Sequence, residues 1–239
     1  MPLQYILEEW DFHCVTLKMR PPVFIPRPET EQLVDIVLSY IKQLSTKSGK
    51  PDINLFEVGC GSGAISLALA TTCPKVKCVA VDKSIYAVRL ARENVVRLGL
   101  ESRVKICHAE VLSDGSLFAM EGHCNVNEQQ VDIIVSNPPY IRMDEQETLD
   151  PEVCRFEDPA ALFGGIDGLD AIRSILKFSL SHLKSKGQIF LEVGLSHPHI
   201  IRDILKTIEY QELKLVKIHP DFTERDRFIE LSLERAFQK

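Results

Sequence analysis

An apolar run ending in Ile134 and Val135 meets Ser136, Asn137, Pro138, Pro139 and Tyr140 in the stretch IVSNPPYI. An amide at the end of a buried strand, followed by two residues without an N–H, suits the holding of a planar nitrogen. Such a nitrogen, in an amide or an exocyclic aromatic amine, has a delocalised lone pair and attacks carbon poorly. The Asn137 side-chain oxygen can accept one N–H and the Pro138 carbonyl the other, which orients the nitrogen and favours the charge it gains. Pro138 and Pro139 stiffen the loop and leave its carbonyls free to accept. Tyr140 can stack on the planar group. Asn137, Pro138 and Tyr140 are therefore the candidate catalytic residues, and Asn137 to Tyr140 the candidate substrate cradle. Asn and Pro also make ordinary strand-ending turns, so the reading depends on what lies beside them.

What lies beside them is a second pattern. In FEVGCGSGA, Gly59, Gly61 and Gly63 separate an apolar run from a helix-forming one, and Asp82 ends the next apolar run. Glycines permit a tight turn and a close backbone approach, and a carboxylate at the end of the following strand accepts both hydrogens of a ribose diol. Nicotinamide binders share this grammar. Their G-x-G-x-x-G would need glycine where Ala64 stands. An acid, Glu57, followed by Gly-x-Gly-x-Gly fits S-adenosylmethionine better, because that ligand brings no pyrophosphate to cradle. Candidate cofactor residues are Glu57, Gly59, Cys60, Gly61, Ser62, Gly63, Asp82 and Asn137.

The elements that must position these groups follow from periodicity. INLFEV, VKCVAV, RVKIC, VDIIVS and GQIFLEVG read as strands, alternating with helices at GAISLALATTC, SIYAVRLARENVVRLGL, GLDAIRSILKFSLSHL and HPHIIRDILKTI. That alternation predicts a parallel sheet wound on both faces. ELKLVKIHP and RFIELSLE follow with no helix between them and predict an antiparallel edge. Ahead of all this, residues 3–25 alternate loosely and predict a hairpin. PRPETEQLVDIVLSYIKQL predicts a helix with Pro28 in its first turn, and residues 45–52 a polar linker.

The 239 residues suit one α/β domain with a modest extension, divided as 1–27 and 28–239. A net charge of −6 argues against a surface built for phosphate backbones. No apolar run approaches a membrane span, and MPLQYILEEWDF shows no secretory leader. The 7 cysteines form no CxxC pair, which predicts reduced thiols; His123–Cys124 has no second spaced pair, and no metal site is expected. His197 and His199 begin a helix and are expected to be solvated. Trp10 and Phe12 are expected to pack, and Glu192 to lie near the site or cap a strand end.

Taken in order, PLQYILEEWDF, IPRPETE, EVGCGSGAISLALA, Asp82, SNPPYI, FEDPAALFGGIDGLD, FLEVG and DFTERDRF resemble the HemK/PrmC family of protein-(glutamine-N5) methyltransferases. The resemblance covers nearly the whole chain. It implies a Rossmann-like S-adenosylmethionine-dependent fold with a seven-stranded, mostly parallel sheet, an antiparallel last strand and an N-terminal hairpin. It also implies S-adenosylhomocysteine as product and the GGQ glutamine of a class-1 peptide-chain release factor as substrate. A cofactor contact after the third strand falls at Glu110–Val111. Arg27 and Glu29, inside IPRPETE, become candidates for the substrate entrance, with a structural ion pair as the alternative. Family members carry a helical domain ahead of the hairpin, so a catalytic domain alone is expected here. Glu8 stands where the family has Gly, and Glu57 where Asp is commoner. A monomer is expected, without membrane or direct nucleic-acid contact. The mitochondrion is the expected compartment, with the cytoplasm as alternative.

Three other readings use the same residues. An adenine-N6 methyltransferase would need a basic groove or recognition domain. A glutamine methyltransferase of a ribosomal protein would share every motif. A silent scaffold would have no use for Gly59, Gly61, Asp82 and Asn137 together.

Overall fold

The near-unbroken apolar runs INLFEV and VDIIVS form what such runs should, strands covered on both faces. The computed structural model describes residues 1–48, 52–121 and 130–235. Its elements are α1 (Leu3–Leu7), β1 (Glu9–Phe12), β2 (Val15–Lys18), α2 (Pro28–Ser48), β3 (Ile53–Val58), α3 (Ala64–Thr72), β4 (Val76–Asp82), α4 (Ile85–Arg97), β5 (Val104–Val111) and β6 (Leu117–Ala119). There follow β7 (Val131–Ser136), α5 (Pro151–Phe156), α6 (Pro159–Leu162), α7 (Asp170–His182), β8 (Leu183–Glu192), α8 (His197–Ile204), β9 (Leu213–Pro220) and β10 (Asp226–Leu233). The main sheet runs β6-β5-β4-β3-β7-β8-β10-β9. Strands β5, β4, β3, β7 and β8 are parallel, while β10 is antiparallel to both its neighbours.

Seven of these strands are the expected ones, and β6 adds a short antiparallel eighth beside β5. The closing pair is antiparallel as expected, but its order is not the chain order. β10 slots between β8 and β9, which leaves β9 at the edge. The burial patterns agree: β10 is mostly buried, whereas β9 is exposed along much of its length.

Two apolar layers flank the sheet. On one side α3, buried at every residue from Ala64 to Ala70, packs with α2 and α4. On the other, Ile172, Ile175, Leu176 and Phe178 of α7 meet Phe56, Ile134 and Ile189, with Phe178 stacked on Phe56 at 4.9 Å between ring centroids. Each such side chain contributes about 1.5–3 kcal/mol by leaving water.

The chain's opening departs from a simple hairpin. Residues 3–7 form a helical turn, and alternation begins only at Glu9, so the hairpin is β1–β2. Tyr5 is buried, and its hydroxyl donates to the Val23 carbonyl at 2.7 Å. Glu8 ends the helix in the left-handed region, with φ 56°, where glycine avoids a cost of about 1–2 kcal/mol. Phe12, Val15, Leu17 and Met19 of the hairpin segment join the same core as α2 and α3. The linker expected at 45–52 is shorter than its composition suggests, because α2 continues through Ser48; residues 49–51 lie outside the described ones. No described helix is long and apolar enough to cross a membrane.

Candidate active site

The glycine turn is set by backbone shape. Gly59, Gly61 and Gly63 have φ of 70°, 55° and 87°, so the chain reverses within five residues and enters α3. The Gly59 and Cys60 N–H groups donate to the Val81 carbonyl at 2.9 and 3.0 Å, which closes the turn onto β4. Asp82 faces it from the end of that strand. Its Oδ2 accepts the Gly61 N–H at 2.9 Å and its Oδ1 the Ser84 N–H at 2.8 Å, and desolvation pushes its pKa up.

Glu57 is buried, and its Oε2 accepts from the backbone N–H of Ser66 at 3.1 Å and from the Ser66 hydroxyl. Burial pushes its pKa up to about 8, against the opposing pull of those two hydrogen bonds. It is therefore an uncharged anchor for the first turn of α3 at neutral pH. Burial likewise pushes the Cys60 thiol well up, so it packs as a neutral group. The Ser62 hydroxyl is buried and has no hydrogen-bond partner among the described residues.

These groups line one cavity of about 860 Å³. Its wall includes Glu57, Gly59 to Ser62, Asp82, Glu110 and Val111, and it continues without a break along Asn137, Pro138, Pro139 and Tyr140. Gly63 sits just behind the wall, its Cα hydrogen facing Leu67 and Ala91. The parallel register explains the meeting: β7 lies between β3 and β8, so its end delivers Asn137 beside the glycine turn.

The loop after β7 is held from behind. The Ile141 N–H donates to the Leu162 carbonyl at 3.0 Å, and the Gly164 N–H to the Ile141 carbonyl at 2.9 Å. A Cβ on Gly164 would lie 2.5 Å from the Pro139 carbonyl, and one on Gly168 2.3 Å from that of Tyr140. Only glycine lets segment 164–168 press so closely on this loop. The Pro138 carbonyl receives no hydrogen bond from the described residues.

The comparisons with known proteins fall on this arrangement. The family model described as Methyltransferase small domain matches residues 37–152. The human MTRF1L release factor glutamine methyltransferase is 45% identical over 232 residues, covering 97% of this chain and 67% of its own length. The release factor glutamine methyltransferase of Clostridium acetobutylicum is 36% identical over 229 residues, covering 96% and 74%. The chain belongs to the release factor glutamine methyltransferase family. Membership makes it a methyltransferase, and family and fold together imply S-adenosylmethionine as methyl donor. The chain spans 59% of the length of another member, from Fusobacterium nucleatum. Among solved structures, the ribosomal protein L11 methylase of Lactobacillus delbrueckii subsp. bulgaricus shares the fold, with a TM-score of 0.52 at 17% identity over 92% of this chain and 86% of that one.

Two residues expected at the substrate entrance of this methyltransferase stand elsewhere. Neither Arg27 nor Glu29 lines the cavity. The Arg27 guanidinium pairs at 2.6 Å with the buried Glu157, not with Glu29, and lies 4.8 Å from the Phe24 ring centroid. Its reach goes to the FEDPAAL segment, which it fastens to IPRPETE, while Phe24, Pro26 and Thr30 provide the wall.

His197 is a second correction. It is buried rather than solvated, because Gly168 leaves room for its ring. It stands edge-on to Tyr140 at 6.5 Å and accepts the Gly194 N–H at Nδ1. His199 is exposed, as expected. The pair His123–Cys124 lies outside the described residues.

Sequence reasoning missed Thr30 and left Glu192 without a role. Both are buried behind the Asn137–Tyr140 loop: Glu192 Oε1 accepts the Tyr140 hydroxyl at 3.2 Å and Oε2 the Thr30 hydroxyl at 2.8 Å. Glu192 was findable, since Leu191 pairs with Ser136 and the next residue on each strand must be neighbours. Thr30 carries no comparable signal. Its place depends on how α2 docks.

Proposed function

We propose that this chain methylates the side-chain nitrogen of the glutamine in the GGQ loop of a class-1 peptide-chain release factor, with S-adenosylmethionine as donor and S-adenosylhomocysteine as product. The observation that carries the reading is the single cavity in which the glycine turn and Asn137–Tyr140 share a wall. The residues fit the donor: a Cβ on Gly59 or Gly61 would enter open space, and the buried Ser62 hydroxyl lacks a partner among the described residues. Gly59 to Ser62, Asp82, Glu110 and Val111 would hold it, with Asp82 on the ribose hydroxyls, while Gly63 only lets the turn enter α3. When bound, it supplies an electrophilic methyl group.

The chain's own residues do the rest. Asn137 Oδ1 and the Pro138 carbonyl each accept one N–H of the glutamine amide, which aims its nitrogen along the cavity toward the glycine turn. Both acceptors are neutral dipoles aimed at a nitrogen that becomes positive, so they bind more strongly as the reaction proceeds. Pro139 stiffens the cradle, and Tyr140, tethered by its hydroxyl, offers a ring face to the planar amide. The proton needs no dedicated base, since it becomes acidic once the nitrogen is alkylated. Arg27 acts on the entrance only through Glu157, by holding Phe24 and Pro26 in the wall.

Residues 28–239 are read as the methyltransferase unit and 1–27 as an extension sharing its core. The net charge of −6 supports a protein rather than a nucleic-acid substrate, and the chain is proposed to act as a monomer. A mitochondrial setting is supported by the likeness to a human family member. The test is mass spectrometry of a class-1 release factor after incubation with the chain and S-adenosylmethionine. One added methyl group on the GGQ glutamine is expected. An unmodified release factor beside methylated duplex DNA would overturn the proposal.

A further inference from the structure

Behind Asn137 lies a chain of hydrogen bonds drawn from α2, the loop after β7 and the end of β8. Asn137 Nδ2 donates to the Thr30 hydroxyl at 3.1 Å, and that hydroxyl donates to Glu192 Oε2 at 2.8 Å. The Tyr140 hydroxyl donates to Glu192 Oε1 at 3.2 Å. Glu192 is 1% exposed and Thr30 3%, so water does not substitute for either partner.

The direction of these bonds follows from what each group can do. An ionised carboxylate only accepts, and a hydroxyl has one hydrogen to give. Thr30 spends its hydrogen on Glu192 and can then only accept from Asn137. A carboxamide that gives its N–H to Thr30 must turn its oxygen the other way. Asn137 lines the cavity, and its Oδ1 takes no hydrogen bond from the described residues.

We infer that Glu192 is a positioning residue whose carboxylate fixes the polarity of the relay through Thr30, so that Asn137 offers oxygen and not nitrogen to the substrate amide. The inference rests on the proposed reading that Asn137 receives a substrate N–H. A flipped carboxamide would set N–H against N–H and remove the acceptor the nitrogen needs. When Glu192 carries a proton, the Thr30 hydrogen is released to bond Asn137 Oδ1, and the flip no longer costs a hydrogen bond.

Several groups face Glu192. Arg227 of β10 favours its charge and Glu29 of α2 opposes it, while Thr30 and Tyr140 hydrogen-bond it. Burial outweighs these and pushes its pKa up to about 6. His197, edge-on to Tyr140, has its own pKa pushed below the ordinary value by burial. The ionised form of Glu192 is the competent one, so turnover falls as pH drops through about 6.

The test uses methyl transfer to a GGQ-containing release factor, followed from acid to neutral pH. Glu192→Gln should lower kcat about ten- to a hundredfold at neutral pH and abolish the acid limb that Glu192 causes. Cofactor affinity by calorimetry should stay at the wild-type value. His197 cannot mimic this result, because its titration survives in that variant. Thr30→Val should lose as much as Glu192→Gln, Thr30→Ser should restore what valine loses, and the double variant Thr30→Val/Glu192→Gln should be no slower than either single one. If Glu192→Gln does not fold, the valine–serine contrast at Thr30 decides alone. Wild-type kcat with the acid limb intact in Glu192→Gln, or equal rates for Thr30→Val and Thr30→Ser, would overturn the inference. A wild-type chain that methylates no release factor would instead overturn the reading beneath it.

Discussion

The two ends of the cavity are built in different ways. At the glycine turn backbone N–H groups donate to carboxylates over short separations: Gly61 to Asp82 across 21 residues and Ser66 to Glu57 across 9. At the substrate end they are side-chain contacts over long separations, 52 residues for Tyr140–Glu192, 107 for Asn137–Thr30 and 162 for Thr30–Glu192. The first end needs only a strand, a turn and a helix in order. The second exists only once α2, β7 and β8 have docked. On the proposed reading, a cofactor common to many enzymes is met by a local motif, and a particular amide by a tertiary assembly.

If the division is sound, substitutions at the two ends should separate turnover from cofactor affinity. The largest effect is expected for Asn137→Ala, which should lower kcat by about 10²–10³ while calorimetry finds near-normal S-adenosylmethionine binding. A parallel loss of affinity would show that the ends are not independent. Next comes Asp82→Ala, expected to weaken cofactor binding about ten- to a hundredfold through a lost charged acceptor. Its kcat at saturating cofactor should change little. A fall in kcat without a rise in the dissociation constant would break the comparison from the other side.

The smallest effect sharpens the account of the glycine end. Glu57, with a pKa pushed up to about 8, holds its proton more tightly folded than unfolded. Its contribution to stability is therefore full at acid pH and is lost as pH rises through about 8. Urea unfolding of the wild type should show stability from this group falling by on the order of 1 kcal/mol per pH unit as pH rises toward about 8, and levelling off beyond it. Glu57→Gln should remove that part of the slope and, having no proton to take up on folding, should be the more stable protein at neutral pH and above. Equal slopes in the two proteins would mean that Glu57 is charged in the fold.

How far each end could be read in the sequence follows the same division. Glycines before a helix, with Asp82 one strand later, announce themselves because every constraint is local. Asn137 was legible as well, since a polar residue closing an apolar strand must sit at the sheet edge. Thr30 was not, because the first turn of α2 looks like any capped helix start and only tertiary packing turns it toward Glu192. His197 read as solvated for a related reason: its burial depends on the missing side chain of Gly168, 29 residues earlier in the chain. Arg27 and Glu29 invited pairing by proximity, whereas the true partner, Glu157, lies 130 residues away. Seven of the eight strands were legible; the short β6 and the final order were not, because periodicity says nothing about which neighbour a closing strand chooses.

That final order bears on how the molecule comes into being. Phe228 of β10 stands opposite Glu192, and β10 is translated after both strands it joins. A nascent polypeptide that already holds every motif from the glycine turn through Glu192 still has β8 open along one flank and lacks Arg227 beside the carboxylate. The sheet behind Glu192 is thus completed late in the chain's own translation, when residues 226–233 pair with both β8 and β9.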